Sequence, residues 1–118
     1  MSAIKELSAK NFDDTIASSP LVLIDFWAEW CGPCKNFSEV LSEVAPQYKD
    51  CLFTSVDVEK EKELALEFSV RSVPFVMIIR DRVVVYAESG ALTKTALCEL
   101  LDQAKKIDPT QLPSDEEK

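Results

Sequence analysis

The sequence predicts an α/β domain: a central mixed five-stranded sheet with about four helices on both faces. Three observations carry that expectation. Short apolar runs alternate with segments in which apolar residues recur every third or fourth position, the marks of strands and of helices with one dry face. The run Leu21–Trp27 is nearly all apolar, as a central strand covered on both faces must be. Two β-branched runs, Phe75–Ile79 and Val83–Tyr86, are joined by only three residues and read as an antiparallel hairpin. Strand–helix–strand units call for right-handed crossovers and parallel neighbours, and the hairpin adds antiparallel pairing, so the sheet is mixed.

In chain order, residues 3–7 form a short first strand. Asn11 is placed to cap the first helix, with Asp13 and Asp14 in its positive first turn and Phe12 and Ile16 on one face. Ser18-Ser19-Pro20 ends it. After the strand Leu21–Trp27, a second helix carries a dry stripe of Phe37, Val40, Leu41, Val44, Ala45 and Tyr48. Pro46 lies in that stripe and cannot donate to the Ser42 carbonyl, so a kink or a weakened last turn is expected. Lys49-Asp50 turns the chain into a third strand, Cys51–Val58. The charge run Glu59–Glu63 reads as a solvated loop and helix start, and Leu64, Ala65 and Phe68 give a short third helix its dry edge. After the hairpin Gly90 breaks the chain, and Thr93 caps a last helix striped by Leu97, Leu100, Leu101, Ala104 and Ile107. Residues 1–107 thus read as one domain, and 108–118, with two prolines and an acidic end, as a flexible tail.

Composition narrows the function. A chain of 118 residues, 47% hydrophobic, can bury one core without staples. Its four cysteines have no recurring spacing and are not a disulfide framework. The net charge of −8 lacks the basic stripe that a nucleic acid needs. No histidine is present, which removes the commonest general base and metal ligand. The N-terminus lacks an apolar signal core, and no segment reaches membrane-spanning length. The expected location is the cytoplasm, with an organellar form made by removal of a presequence as the open alternative.

The chemistry concentrates in Cys31-Gly32-Pro33-Cys34, where the second strand ends and the second helix begins. A thiol attacks a disulfide as thiolate, so the site must lower the pKa of one cysteine. Cys31 would sit at the helix N-terminus, where unpaired N–H groups and the macrodipole favour an anion. Pro33 suits a first turn, since its missing N–H would have no helical partner, and Gly32 leaves the backbone open to a partner chain. Residues three apart share a helix face, which puts Cys34 beside Cys31. Cys31 is therefore assigned as the nucleophile and the more exposed thiol, and Cys34 as the shielded resolving thiol.

Asp25 interrupts the apolar run and shares a strand face with Leu23 and Trp27. Burial should raise its pKa toward neutrality, which suits an acid–base that takes the proton of Cys34. Zinc would need a second ligand pair, a four-residue ring closes too little chain to be a structural disulfide, and two glycines cannot build a phosphate loop. The reversible Cys31–Cys34 disulfide is the expected redox group, with no bound cofactor and no metal. Cys51 and Cys98 read as inert, with a regulatory thiol role as the minor alternative.

Phe26-Trp27-Ala28-Glu29-Trp30-Cys31-Gly32-Pro33-Cys34-Lys35 resembles, almost letter for letter, the active-site segment of small thioredoxins. The element order is similar from about residue 3 to 107. Asp25 resembles that family's buried carboxylate, Arg71-Ser72-Val73-Pro74 the segment whose cis proline faces the cysteines, and Ser89-Gly90-Ala91-Leu92 the loop bordering the substrate groove. The resemblance implies the thioredoxin fold and a monomeric protein-disulfide reductase, recharged by an NADPH-dependent thioredoxin reductase and acting on disulfide-containing client proteins. It also implies an apolar substrate-binding patch of Trp30, Gly32, Pro33, Val73, Pro74, Gly90 and Ala91, with a client backbone laid against Val73 in strand-like pairing. Three positions depart from the pattern. Ser55 stands where many members carry a lysine paired with the buried aspartate, Glu39 replaces a kinking proline, and Arg80-Asp81-Arg82 lacks the usual glycine. The alternatives are a binding module that uses the same patch without turnover, or an oxidase or isomerase. The intact cysteine pair disfavours the first, and the intervening Gly-Pro leans toward a reductant.

Overall fold

The computed structural model describes residues 4–108; residue 3 of the expected first strand and all but Asp108 of the expected tail lie outside it. The elements run β1 (Lys5–Glu6), α1 (Phe12–Ala17), β2 (Leu21–Trp27), α2 (Gly32–Val44), β3 (Leu52–Asp57), α3 (Lys62–Glu67), β4 (Phe75–Arg80), β5 (Val83–Ser89) and α4 (Lys94–Lys106). The sheet order is β1-β3-β2-β4-β5. β1 and β2 both run parallel to β3, whereas β4 is antiparallel to β2 and to β5. The mixed sheet expected from crossovers followed by a hairpin is the one observed.

β2 is the centre of this arrangement. It pairs on both edges, and every residue from Leu21 to Phe26 is buried. Its side chains alternate between two cores, as the pleat requires. Leu21 and Leu23 join Phe37, Leu41 and Val44 of α2 and Leu97 and Leu101 of α4. Val22, Ile24 and Phe26 join Phe12 and Ile16 of α1 and Leu64 of α3 on the other side. Each such fully buried apolar side chain contributes about 1.5–3 kcal/mol, so the sheet holds its helices through both faces.

Local signals behaved as their chemistry demands, with two corrections. The α-helical part of α2 stops at Val44, and Ala45–Gln47, containing Pro46, tightens into a 3-10 turn. Thr93 caps α4 by accepting the Ala96 N–H at 3.1 Å. Asn11 occupies the N-cap position of α1 but makes no side-chain cap. Its ψ of 0° turns the amide away from the helix, and Oδ1 accepts the Ser8 N–H at 2.8 Å while Nδ2 donates to the Glu6 carbonyl at 3.3 Å. The amide thus closes the β1–α1 loop instead.

The hairpin turn has two residues rather than three, since Arg80 pairs with Val83. A two-residue hairpin of type I′ needs positive φ at both central positions, and Asp81 (φ 48°) and Arg82 (φ 70°) adopt it without glycine. The N–H of Asp81 is held by the Pro20 carbonyl at 2.8 Å. The register shifts between Ile78 and Ile79, which face Tyr86 and Val84, leaving Val85 as the extra residue of a bulge.

Arg82→Gly should remove the Cβ clash of a left-handed residue and stabilise the fold by about 0.5–1 kcal/mol. The expected sign is a higher urea midpoint at unchanged m-value; a midpoint that stays or falls would show that the turn carries no such cost.

Candidate functional site

The chain leaves β2 at Trp27, turns through Ala28–Trp30, and enters α2. Cys31 is the N-cap of that helix in an extended conformation (φ −89°, ψ 107°), and its Sγ accepts the Cys34 N–H at 3.1 Å. Its own N–H bonds to the Ala28 carbonyl at 3.1 Å. Pro33 lies in the first turn, where no acidic side chain neutralises the positive end of the helix. Cys31 and Cys34 are joined in a disulfide with a Cα–Cα distance of 5.3 Å. The sulfur of Cys31 therefore holds the place where a helix stabilises negative charge, and its partner lies one turn away.

The expected difference in exposure between the two thiols is not observed: both cysteines are 3% exposed. The bond draws the sulfurs together, and Ala28, Trp27, Val58 and Val73 pack around them. Position at the cap, not accessibility, distinguishes the pair in this form. Trp30 is 70% exposed, and Gly32 and Pro33 are exposed beside it. The Val73–Pro74 peptide is cis. Gly90 donates its N–H to the Pro74 carbonyl at 2.8 Å, and Ser72 and Ser89 share a hydroxyl–hydroxyl bond of 2.8 Å. Gly90 has φ 112°, a backbone conformation that side-chain-bearing residues rarely adopt, and Ala91 follows it on the exposed loop. Segments far apart in sequence thus meet: Val73 packs on the cysteines, and Pro74 is bonded to the Gly90 loop.

Behind the cysteines lies Asp25, 3% exposed, with Oδ1 lacking a hydrogen-bond partner among the described residues. Burial pushes its carboxyl up from 3.8 to about 7. Its neighbour in register on β3 is Ser55, a neutral side chain, so no cation faces it from that strand. Asp25 and Cys34 line one cavity of about 320 Å³ together with Trp27, Lys35, Ser38 and Ser55. A carboxyl whose proton affinity burial raises toward neutrality therefore lines the same cavity as Cys34. Among the described residues no cluster of three His, Cys, Asp or Glu side chains could hold a metal ion.

The thioredoxin family profile matches residues 3–103. The chain belongs to the thioredoxin family. It is 46% identical to a Streptomyces coelicolor protein provisionally named thioredoxin 2, over 92% of this chain and 81% of that one. To the thioredoxin of Haemophilus influenzae it is 34% identical, covering 87% and 98% of the two chains. Among solved structures, a mutant thioredoxin from Halobacterium salinarum superposes with a TM-score of 0.80 at 29% identity, covering 92% and 98%. The thioredoxin fold and a thiol–disulfide oxidoreductase chemistry follow from membership together with the Cys31–Cys34 pair. Thioredoxins generally work with a thioredoxin reductase and with disulfide-bearing clients. Among the described residues, no helix is long and apolar enough to cross a membrane.

Within this thioredoxin domain the remaining cysteines are set apart. Burial and then the Asp50 charge push the Cys51 thiol up to about 12, which leaves it un-ionised at neutral pH, and Cys98 is half-buried on α4. The charge run is the largely exposed loop and helix start expected, and two of its carboxylates also accept hydrogen bonds. Glu61 accepts the Ala9 N–H at 3.1 Å, and Glu59 accepts the Trp30 indole N–H at 2.9 Å. The signal for Glu59 lay in the pairing rather than the composition. Trp27 sits opposite Asp57 across the sheet, so the residues just beyond each strand end arrive side by side.

The Asp25 carboxyl binds its proton more tightly folded (about 7) than at its ordinary value of 3.8, so its ionisation opposes folding. The opposition is absent below about pH 4, grows as pH rises through about 7, and is constant above. Its full size is about 4 kcal/mol, at about 1.4 kcal/mol per pH unit. Asp25→Asn should therefore gain about that much on the wild type between about pH 4 and about pH 8. Urea unfolding of the two oxidised proteins across that range checks it, and parallel stability curves would refute it.

Proposed function

We propose that this chain is a general protein-disulfide reductase, itself re-reduced by an NADPH-dependent thioredoxin reductase. The observation that carries the reading is the Cys31 Sγ at the helix cap, accepting the Cys34 N–H at 3.1 Å. A negative sulfur there gains a charge-assisted hydrogen bond and the helix dipole, both absent for a thiol in a loop.

In this reading the Cys31 thiolate attacks one sulfur of a client disulfide. A Cys31–client mixed disulfide forms, the client S–S bond breaks, and the first client sulfur leaves as thiolate. Cys34 then gives its proton to ionised Asp25 and attacks the Cys31 sulfur. The Cys31–Cys34 bond forms, and the second client thiolate departs. Two electrons have passed to the client, and its thiolates take protons from Asp25 and solvent. The shared cavity supports the Asp25 role, since it gives the carboxyl and Cys34 a common space. Trp30, Gly32, Pro33, Val73, Pro74, Gly90 and Ala91 form the client-binding patch around the cysteines. The cycle runs in a monomeric domain of residues 1–107 in the cytoplasm, with 108–118 as an acidic tail and the cysteine couple as its redox group.

Reduction of insulin disulfides, coupled to NADPH through a thioredoxin reductase, tests the whole reading. Turnover is expected with the folded wild type, and its absence would leave a binding module. Cys34→Ser should lose turnover to background and accumulate a client disulfide-linked through Cys31, seen as a reducible band. Trapping by Cys31→Ser instead would reverse the two roles.

A further inference from the structure

Trp30 is 70% exposed, the largest exposure of an aromatic ring beside the cysteines, yet its indole is not loose. Nε1–H donates to Glu59 Oε2 at 2.9 Å across 29 residues of sequence. The loop that presents Glu59 is itself held. Asp57 is buried, and its Oδ1 accepts the backbone N–H groups of Glu59 at 2.9 Å and Lys60 at 3.3 Å. The Val58 N–H bonds to the Trp27 carbonyl at 2.9 Å, which ties the end of β3 to the end of β2. A chain of hydrogen bonds therefore runs from a buried aspartate, through a short turn, to the one ring that projects next to Cys31.

An indole offers a large contact area and loses few rotamers on binding, and it loses fewer still when fixed beforehand. Ordering a free side chain at an interface weakens binding by about twofold to tenfold. Resting on the reductase reading above, we propose that Glu59 is a positioning residue for client binding, holding the Trp30 indole as a fixed wall beside Cys31 so that a protein disulfide meets a preformed surface. The bond needs an acceptor and not a charge. A small disulfide makes little use of the wall.

The test compares wild type, Glu59→Ala and Glu59→Gln with insulin and with hydroxyethyl disulfide as probes. Glu59→Ala should raise the ratio of the insulin KM to the hydroxyethyl disulfide KM about twofold to tenfold, with insulin kcat changed far less. Glu59→Gln keeps an acceptor oxygen and should return the ratio to the wild-type value. The Trp30 indole N–H resonance should move in Glu59→Ala and stay near its place in Glu59→Gln. An unchanged ratio, an equal loss on both disulfides, or a glutamine variant no better than alanine would overturn the positioning role. Wild-type turnover of insulin reads the reductase chemistry by itself. Its absence would sink the reductase reading, whereas an active wild type with an indifferent Glu59→Ala sinks only the role of Glu59.

Discussion

The burial of β2 is the constraint on which the site depends. Its backbone is paired with β3 on one edge and β4 on the other, and helices cover both its faces. A polar group on such a strand must find a partner inside the protein or reach water through a cavity. Asp25 does the second: Oδ1 has no described partner and the cavity opens beside it. An ionised carboxylate placed there unpaired costs several kcal/mol, so the group keeps its proton up to about neutral pH. The same strand delivers the chain, at Ala28, to the position from which α2 must start. Position of the cysteines and proton affinity of the acid are thus two results of one buried strand.

Much of this was legible because it depends on neighbours close in sequence. The stripe from Phe37 to Val44 is set by the helical period, the cap at Thr93 by a hydroxyl three residues from its donor, and the end of α2 by the missing N–H of Pro46. Asp25 was legible by contradiction, as a carboxylate within an apolar run whose burial the period-2 pattern assigns to one face. What was not legible depends on distant partners. Asn11 has the right residue type for a cap, but Ser8 and Glu6 compete for its amide and win. Glu59 is indistinguishable from its charged neighbours until the Trp27–Asp57 pairing brings it to Trp30. The equal burial of the two cysteines involves packing by Val58 and Val73, which lie in other segments.

The departures from the family pattern also have physical consequences. Ser55 beside Asp25 supplies a hydroxyl where the family resemblance leads one to expect a lysine, and among the described residues the other charged side chains lining the cavity are Glu29 and Lys35, of opposite sign. Burial is what raises the affinity of Asp25 for a proton. At the hairpin, the absent glycine is replaced by two residues in left-handed conformation, anchored by the Asp81–Pro20 hydrogen bond. That turn lies at the Leu21 end of β2, opposite the end from which the chain leads to the cysteines.

The proposed chemistry asks Asp25 and Cys31 to be useful at the same pH, and the two demands conflict electrostatically. An anion at Cys31 is favoured by the helix cap, whereas a second anion nearby would disfavour it and disfavour a Cys34 thiolate more. A carboxyl that stays protonated near neutral pH leaves the Cys31 thiolate unopposed during attack. Once Cys31 is tied up in a mixed disulfide its charge is gone, and ionisation of Asp25 becomes easier at the moment a base is needed. The neutral Ser55 fits that order of events, because a fixed cation beside Asp25 would favour its ionised form from the start.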